Sequence, residues 1–430
     1  MRITRRPGWP GRIGEFVSTE RIVVGIDVGT TKVCTLVGQV TPLASGQNQV
    51  TIIGVGLEPS EGMHKGMVTD VEQATHAITT SKRQAERTSG YEIGRAIVSL
   101  AGSHVSSLNS KGVAGLNARH GVTQDDIERA MEAAQAVVIP HNREVLHVVP
   151  RLYTLDGQEG VRQPLGMHGF RLEVEAHIIT ASSSSVQNLE QCVAGAGVAV
   201  DRFVLNPLAS AEVALTDSER EMGVVVIDIG GGTTDMAIFI EGTVWHTAVI
   251  SVGGNHVTND VAHGLRLPFD EAERVKLEYG HAVPEEVASD ALLTMQPFGE
   301  DLPVQVPRAD LAMIIEARVE EIFSLVMQEI KRSGYDGLLP AGVVLTGGSS
   351  ALPGIRQVAA RVFNLPVRIA KPENLVGLVD KLDGPAYSTS VGLLHFALRT
   401  DLADTRRHRR GGLTNLGRTL GDIFGRFLPD

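Results

Sequence analysis

Cysteine is almost absent from this chain. Cys34 and Cys192 are its two thiols in 430 residues, and neither sits in a CxxC or other metal-ligating spacing. A disulfide-stapled fold and a thiolate metal centre are therefore not expected, and two reduced, buried thiols in a cytoplasmic protein are. Long apolar runs are missing too. No stretch reaches 18 apolar residues, so no segment reads as a membrane-spanning helix. The first twenty residues are rich in Arg, Gly and Pro but have no apolar centre, which argues against a signal peptide and for a flexible extension. Positive charge is in deficit: 39 Lys and Arg against 50 Asp and Glu give a net charge of −11, so the body is no nucleic-acid binder by charge. The whole chain, 43% hydrophobic and 21% charged, has the composition of a soluble globular protein with enough core for two or three domains.

Glycine is plentiful and placed with purpose. Residues 224–238 read VVVIDIGGGTTDMAI: a short buried strand ending in Asp228, a glycine–threonine hairpin, and a second apolar run. Backbone amides from Gly230, Gly231 and Gly232 to Thr233 and Thr234 can approach a phosphate without Cβ atoms in the way. Asp228 at the strand end can hold Mg²⁺ through water. The pattern recurs at residues 23–33, VVGIDVGTTKV, where Asp27 stands 201 residues before Asp228 and Gly29, Thr30 and Thr31 form the turn. Lys32 follows as a point charge for a phosphate or as a solvated strand-end lysine. A third piece, GVVLTGGSS at residues 342–350, ends an apolar strand in Gly347 and Gly348, with Ser349 after them. Two such hairpins can clamp a triphosphate, with base and ribose against the double glycine.

With these motifs in this order, the chain from about residue 22 to 398 resembles the actin-like ATPase superfamily of actin, bacterial actins, Hsp70 chaperones and sugar kinases. More narrowly it is similar to the FtsA family of bacterial cell-division proteins. The long insertion after the first domain segment, the run PAYSTSVGLLHFAL at residues 385–398 and the C-terminal tail carry that likeness. The resemblance implies an α/β, ribonuclease H-like fold of two domains flanking a nucleotide cleft, with ATP and Mg²⁺ as cofactors. It divides the chain into a first subdomain at 21–92, 181–220 and 372–398, an α+β insert at 93–180, a second subdomain at 221–264 and 310–371, and a small subdomain at 265–309.

Within that frame the local patterns give further expectations. Thr123 N-caps a helix with Asp125 and Asp126 at its positive end. Residues 284–306 look irregular. Glu273 and Lys276, three apart on a helix, form a surface ion pair or, as the resemblance implies, the ribose and base-edge clamp. Glu316, Arg318 and Glu321 on a long helix at 309–333 are a solvated charged face or, by the resemblance, a docking site for the tail of the tubulin-like partner FtsZ. Bacterial actins begin the stretch at 206 with an acid that orients the attacking water. Asn206 stands there instead and cannot take a proton, so slow ATP turnover is expected and no catalytic residue is assigned. The insert either contacts neighbouring molecules and other division proteins or only stabilises the first domain.

The tail closes the chain. Residues 399–412, with four arginines between 406 and 410, read as a basic linker. Leu413, Leu416, Leu420, Ile423, Phe424, Phe427 and Leu428 share one helical face, with Arg418 and Arg426 on the polar side. Gly417, Gly421 and Gly425 cost about 1 kcal/mol each against Ala, so this helix should fold on a surface rather than in water. From Arg399 onward seven arginines face four acids, leaving −14 on the rest of the chain. A basic tail on an acidic body suits anionic lipid. The whole is expected to be an actin-like ATP-binding protein that self-associates into filaments at the inner face of the membrane and ties the division ring to it. The alternatives are a small-molecule kinase of the superfamily, a pilus-assembly adaptor, and an Hsp70-type chaperone, for which no peptide-binding domain follows.

Overall fold

A computed structural model describes residues 21–42, 48–117 and 120–408. The extension at 1–20 and the amphipathic stretch at 413–428, with Leu413 to Leu428, lie outside the described residues. The chain opens with β1 (Arg21–Val28), β2 (Lys32–Pro42) and β3 (Asn48–Pro59), two-residue strands β4 (Met63–His64) and β5 (Met67–Val68), α1 (Val71–Ser89) and β6 (Arg95–Leu100). It continues through β7 (Ser106–Gly115), α2 (Gln124–Gln135), β8 (Arg143–Leu155), β9 (Gln158–Val161) and β10 (Arg171–Ser182). Then come α3 (Ser183–Gly195), β11 (Ala199–Leu205), α4 (Asn206–Ala214) and α5 (Asp217–Met222). A second run holds β12 (Val224–Ile229), β13 (Thr234–Ile240), β14 (Thr243–Ile250), α6 (Gly254–Leu265) and α7 (Phe269–Tyr279). The last elements are β15 (Leu292–Met295), β16 (Val304–Pro307), α8 (Arg308–Ser333), β17 (Val343–Thr346), α9 (Ile355–Phe363), β18 (Val367–Ile369), β19 (Val376–Gly377) and α10 (Ser388–His408).

Two sheets share one topology. The first runs β11-β6-β1-β2-β3-β19 and the second β14-β13-β12-β17-β18. In each, three strands form an antiparallel meander and two more join in parallel beside the first of them; the first sheet adds β19, parallel to β3, at its other edge. The central strands are apolar on both faces; all six residues of β12 are buried. That is the pattern of a strand covered on both sides rather than half-solvated. The edges of the helices follow ordinary local chemistry. Asp70 accepts from the amide of Gln73 to cap α1, which ends at Gly90 with φ of 69°. Thr123 and Asp126 close a capping box on α2.

The insert is a four-stranded antiparallel sheet, β7-β10-β8-β9, with α2 packed on it over its own apolar core of residues such as Met131, Leu172 and Ile178. Here the expected boundary shifts. Residues 95–100, assigned to the insert at 93–180, form β6, which pairs with β1 and β11 in the first sheet. Its residues from Ala96 to Leu100 are buried, and such a run needs partners on both sides, which β1 and β11 supply. Two further expectations are corrected. The stretch at 284–306 contains a small hairpin, β15 with β16. Residues 399–408 of the expected linker are helical, because α10 continues to His408; no Gly or Pro stands between Gly392 and Gly411. Among the described residues no helix is long and apolar enough to cross a membrane.

Candidate functional site

The repeated topology places the two glycine hairpins opposite each other. Val28 pairs with Val33 across the first turn and Ile229 with Thr234 across the second, so each closes a four-residue loop. The Gly29 amide donates to the Lys32 carbonyl at 2.9 Å, and the Gly230 amide to the Thr233 carbonyl at 2.9 Å. Between the loops lies a cleft of about 370 Å³. Its walls include Asp27, Gly29, Thr30, Thr31 and Lys32 from the first half, and Asp228, Gly230, Gly231, Gly232 and Thr233 from the second. Gly347, Gly348 and Ser349 line it as well, as do Glu273 and Lys276. The structure thus brings three motifs, separated by hundreds of residues, to one cavity.

Thr234 is the exception. Its side chain is fully buried and donates to the Val252 carbonyl at 2.7 Å, away from the cleft. Alternation along β13 turns Thr234 inward to the sheet and Thr233 and Asp235 toward the cavity. Gly347 has φ of 84°, and a Cβ there would meet Asp228 Oδ1 at 2.4 Å. Only glycine both adopts that backbone and lets β17 come so close to β12. Lys276 bonds Glu273 at 2.6 Å, the Thr258 hydroxyl at 2.8 Å and the Gly254 carbonyl at 3.3 Å. The pair is therefore pinned to α6 beside the cavity rather than loose on the surface.

Charge in the cleft is unbalanced. Asp27, Asp228 and Asp235 are all buried around it, and Lys32 approaches Asp27 at 3.5 Å. Burial, with the charge of Asp27 adding, raises the Asp228 carboxyl to about 6 against the hydrogen bond from Thr389. Burial and then the neighbouring Asp228 raise Asp235 well above the usual carboxylate range. Burial opposes the Lys32 charge, but Asp27 and, less strongly, Asp228 outweigh it, so its ammonium holds its proton more firmly than usual. Asp235 Oδ1 and Asn206 Oδ1 both belong to cleft residues and have no hydrogen-bond partner. Buried acids with an orphaned oxygen fit a hard cation with oxygen ligands. Among the described residues no group of three or more His, Cys, Asp or Glu converges closely enough to hold a metal alone. Asp27 and Asp228 therefore fit an ion that keeps most of its water, as Mg²⁺ does.

Asp235 was not foreseen. Its signal was the register of the duplicated hairpins: it faces Asp228 across its hairpin as Cys34 faces Asp27. Thr389, which also lines the cleft, carried no such signal. Glu316, Arg318 and Glu321 stand on α8, apart from the cleft, and each is paired within the chain. Arg318 bridges Asp260 on α6 at 2.9 Å and Glu321, while Glu316 holds Arg361 on α9 at 2.6 Å.

Comparison with known proteins gives three findings. A family model described as cell division protein FtsA matches residues 225–392, and one described as the SHS2 domain inserted in FTSA matches residues 102–180. The second match begins after β6, where the insert sheet begins. The chain is 43% identical over 383 residues to cell division protein FtsA of Pseudomonas aeruginosa, covering 89% of this chain and 91% of that one. It is 38% identical to cell division protein FtsA of Escherichia coli K12, covering 89% and 91%, and 38% identical to that of Bacillus subtilis, covering 89% and 85%. Among solved structures, a PilM–PilN type IV pilus biogenesis complex has a TM-score of 0.61 at 16% identity, covering 86% of this chain and 97% of that one. MreB5 of Spiroplasma citri bound to ADP has a TM-score of 0.54 at 17% identity, covering 91% and 99%. These likenesses give the fold as actin-like.

Proposed function

The chain belongs to the FtsA family of cell division proteins, and from that premise we propose that it is an ATP-binding, membrane-tethered adaptor of the division ring. One observation carries the nucleotide part: two alike hairpins, each with a buried aspartate at its strand end, face each other across a cleft floored by Gly347 and Gly348. Glycine loops there suit phosphates, Lys32 supplies a fixed positive charge, and Glu273 and Lys276 lie where ribose and base edge would rest. A solved structure of similar fold is itself bound to ADP. When bound, Mg²⁺ would neutralise phosphate charge, with Asp27 and Asp228 holding its water. ATP with Mg²⁺ then favours the closed cleft and, through it, filaments of this chain. Asn206 lines the cleft in place of a base, so hydrolysis runs below about one turnover per second.

Partner binding completes the reading. The face carrying Glu316, Arg318 and Glu321 receives the tail of FtsZ, and the insert contacts other division proteins. The amphipathic stretch at 413–428, with the arginines before it, binds anionic lipid on the cytoplasmic face of the membrane at the division site. Each tail binds weakly, and a filament multiplies the tails.

The test is co-sedimentation with anionic liposomes, with and without ATP, for the full chain and for a version ending at His408, where α10 ends. The full chain alone should pellet, and more so with ATP. Equal pelleting of both versions would remove the tail as anchor. No pelleting of either would defeat the membrane part and leave the nucleotide clamp to be tested by itself.

A further inference from the structure

The cleft aspartates share an unassigned feature. Thr389 and Ser390 are consecutive residues in the first turn of α10. The Thr389 hydroxyl donates to Asp228 Oδ2 at 2.7 Å, and the Ser390 hydroxyl donates to Asp27 Oδ2 at 2.7 Å. Asp228 is the last residue but one of β12 in the second sheet, and Asp27 the last but one of β1 in the first. Consecutive helix positions point about 100° apart, so a single turn set between the halves can reach both. The same turn is fastened beneath the cleft: Ser388 Oγ and Thr346 Oγ1 are 2.7 Å apart, and the Gly347 amide donates to the Pro385 carbonyl at 3.1 Å. Ser388, Thr389 and Ser390 are all buried.

We propose that Thr389 and Ser390 are positioning residues for the cation: they fix the planes of the two aspartates that hold its water, and they tie that ion to α10. This rests on the nucleotide-clamp reading above. A hydroxyl that donates to one carboxylate oxygen leaves the carboxylate able to accept from metal-bound water while stopping its rotation. Partners of direct metal ligands change metal affinity by about 10- to 100-fold when lost; these hydroxyls stand one shell further out, behind carboxylates that hold the ion's water, so the lower end of that range applies. The two are not equal. Asp27 also accepts from Ser99 at 2.9 Å and has Lys32 at 3.5 Å, so it keeps its orientation without Ser390. Among the described residues Asp228 has no lysine beside it at that range, and of the two hydroxyls acting on it Thr389, at 2.7 Å, acts more strongly than Ser210.

The experiment is a Mg²⁺ titration of the full chain with a fluorescent ATP analogue, run beside analogue binding in EDTA. Thr389→Val should raise the Mg²⁺ needed for half-saturation by about tenfold and leave binding in EDTA unchanged. Ser390→Ala should raise it less, and Thr389→Ser, which keeps the hydroxyl, should match wild type. Hydrogen exchange in the first turn of α10 should slow on adding Mg²⁺ and analogue to wild type, and much less so with Thr389→Val. An unchanged Mg²⁺ requirement in Thr389→Val overturns the proposal. So does an equal loss of binding in EDTA, which would make Thr389 a packing residue, and so does a defect in Thr389→Ser. Wild type that takes up no analogue at any Mg²⁺ refutes the nucleotide clamp and this inference together.

Discussion

The glycine tip of the second hairpin lies against the first hairpin, and Gly232→Ala tests that contact. A Cβ at Gly232 would lie 2.6 Å from Thr30 Oγ1 and 3.0 Å from the Lys65 Cα. The second neighbour is backbone and cannot swing aside. The first can rotate, but Thr30 Oγ1 accepts from the Gly66 amide at 3.2 Å, and rotation breaks that bond. Overpacking of this kind costs about 1–3 kcal/mol, and the lost hydrogen bond about 1 kcal/mol. The conformation with the hairpins in contact should thus be penalised by about 2–4 kcal/mol. If ATP binds that conformation, its affinity falls roughly 30- to 900-fold. Titration with a fluorescent ATP analogue at saturating Mg²⁺ measures it. The double variant Thr30→Ala with Gly232→Ala removes the first clash and should recover at least about 1 kcal/mol, read as a coupling energy in a double-mutant cycle. Binding by Gly232→Ala within about threefold of wild type, against the 30-fold expected, would refute the reasoning. Failure of the double variant to bind better than the single one would do so too.

Three more outcomes follow from the geometry. Glu219 on α5 pairs with Arg368 on β18 at 2.6 Å; burial acts to raise its carboxyl, but the bonds from Arg368 and then Thr216 outweigh it and hold it down to about 2. Because its folded value is depressed, its contribution of roughly 2 kcal/mol is complete above its unfolded value near 4.3 and is lost as pH falls toward 2. Urea melts of Glu219→Gln should therefore lie below wild type at pH 7 and converge with it near pH 2. Arg151 of the insert stacks 4.4 Å from the Trp245 ring, bonds the Tyr335 hydroxyl at 3.0 Å and Glu175 at 3.3 Å, and so clasps the insert to the second half. Arg151→Met keeps apolar bulk but loses the stacked charge and its bonds, and should lower stability by about 2 kcal/mol in chemical melts; a change under about 0.5 kcal/mol, the scale of a surface substitution, would refute the clasp. Lipid binding by the tail should weaken steeply between low and high salt in liposome pelleting, and a salt-independent pellet would argue against its arginines as the contact.

Some of the site was legible because it is written in local chemistry. A strand that ends in aspartate and turns through glycine and threonine has few other uses, so Asp27, Asp228 and their loops could be named without coordinates, and all but Thr234 of the expected nucleotide residues line one cavity. The Thr234 side chain turns away from the cavity: membership in a motif does not say which way a strand residue points, and the alternation of β13 decides that. Asp235 was hidden for the same reason, being read as part of the apolar exit run. Residues 95–100 were put in the insert because chain adjacency was the available guide, whereas pairing with β1 is a long-range choice.

What the sequence by itself determined is the repeated hairpin, the double glycine, the acidic body with its basic tail, and the family likeness, because each rests on residue type within a short window. What only the tertiary structure decided is how distant pieces meet. The duplicated sheet sets Asp27 and Asp228 on one cleft, and one turn of α10 holds both, Thr389 lying 161 residues beyond Asp228 and Ser390 363 beyond Asp27. Hydroxyls such as those of Thr389 and Ser390 have no pattern of their own. They acquire a role when burial takes away water and leaves a carboxylate as the partner within reach.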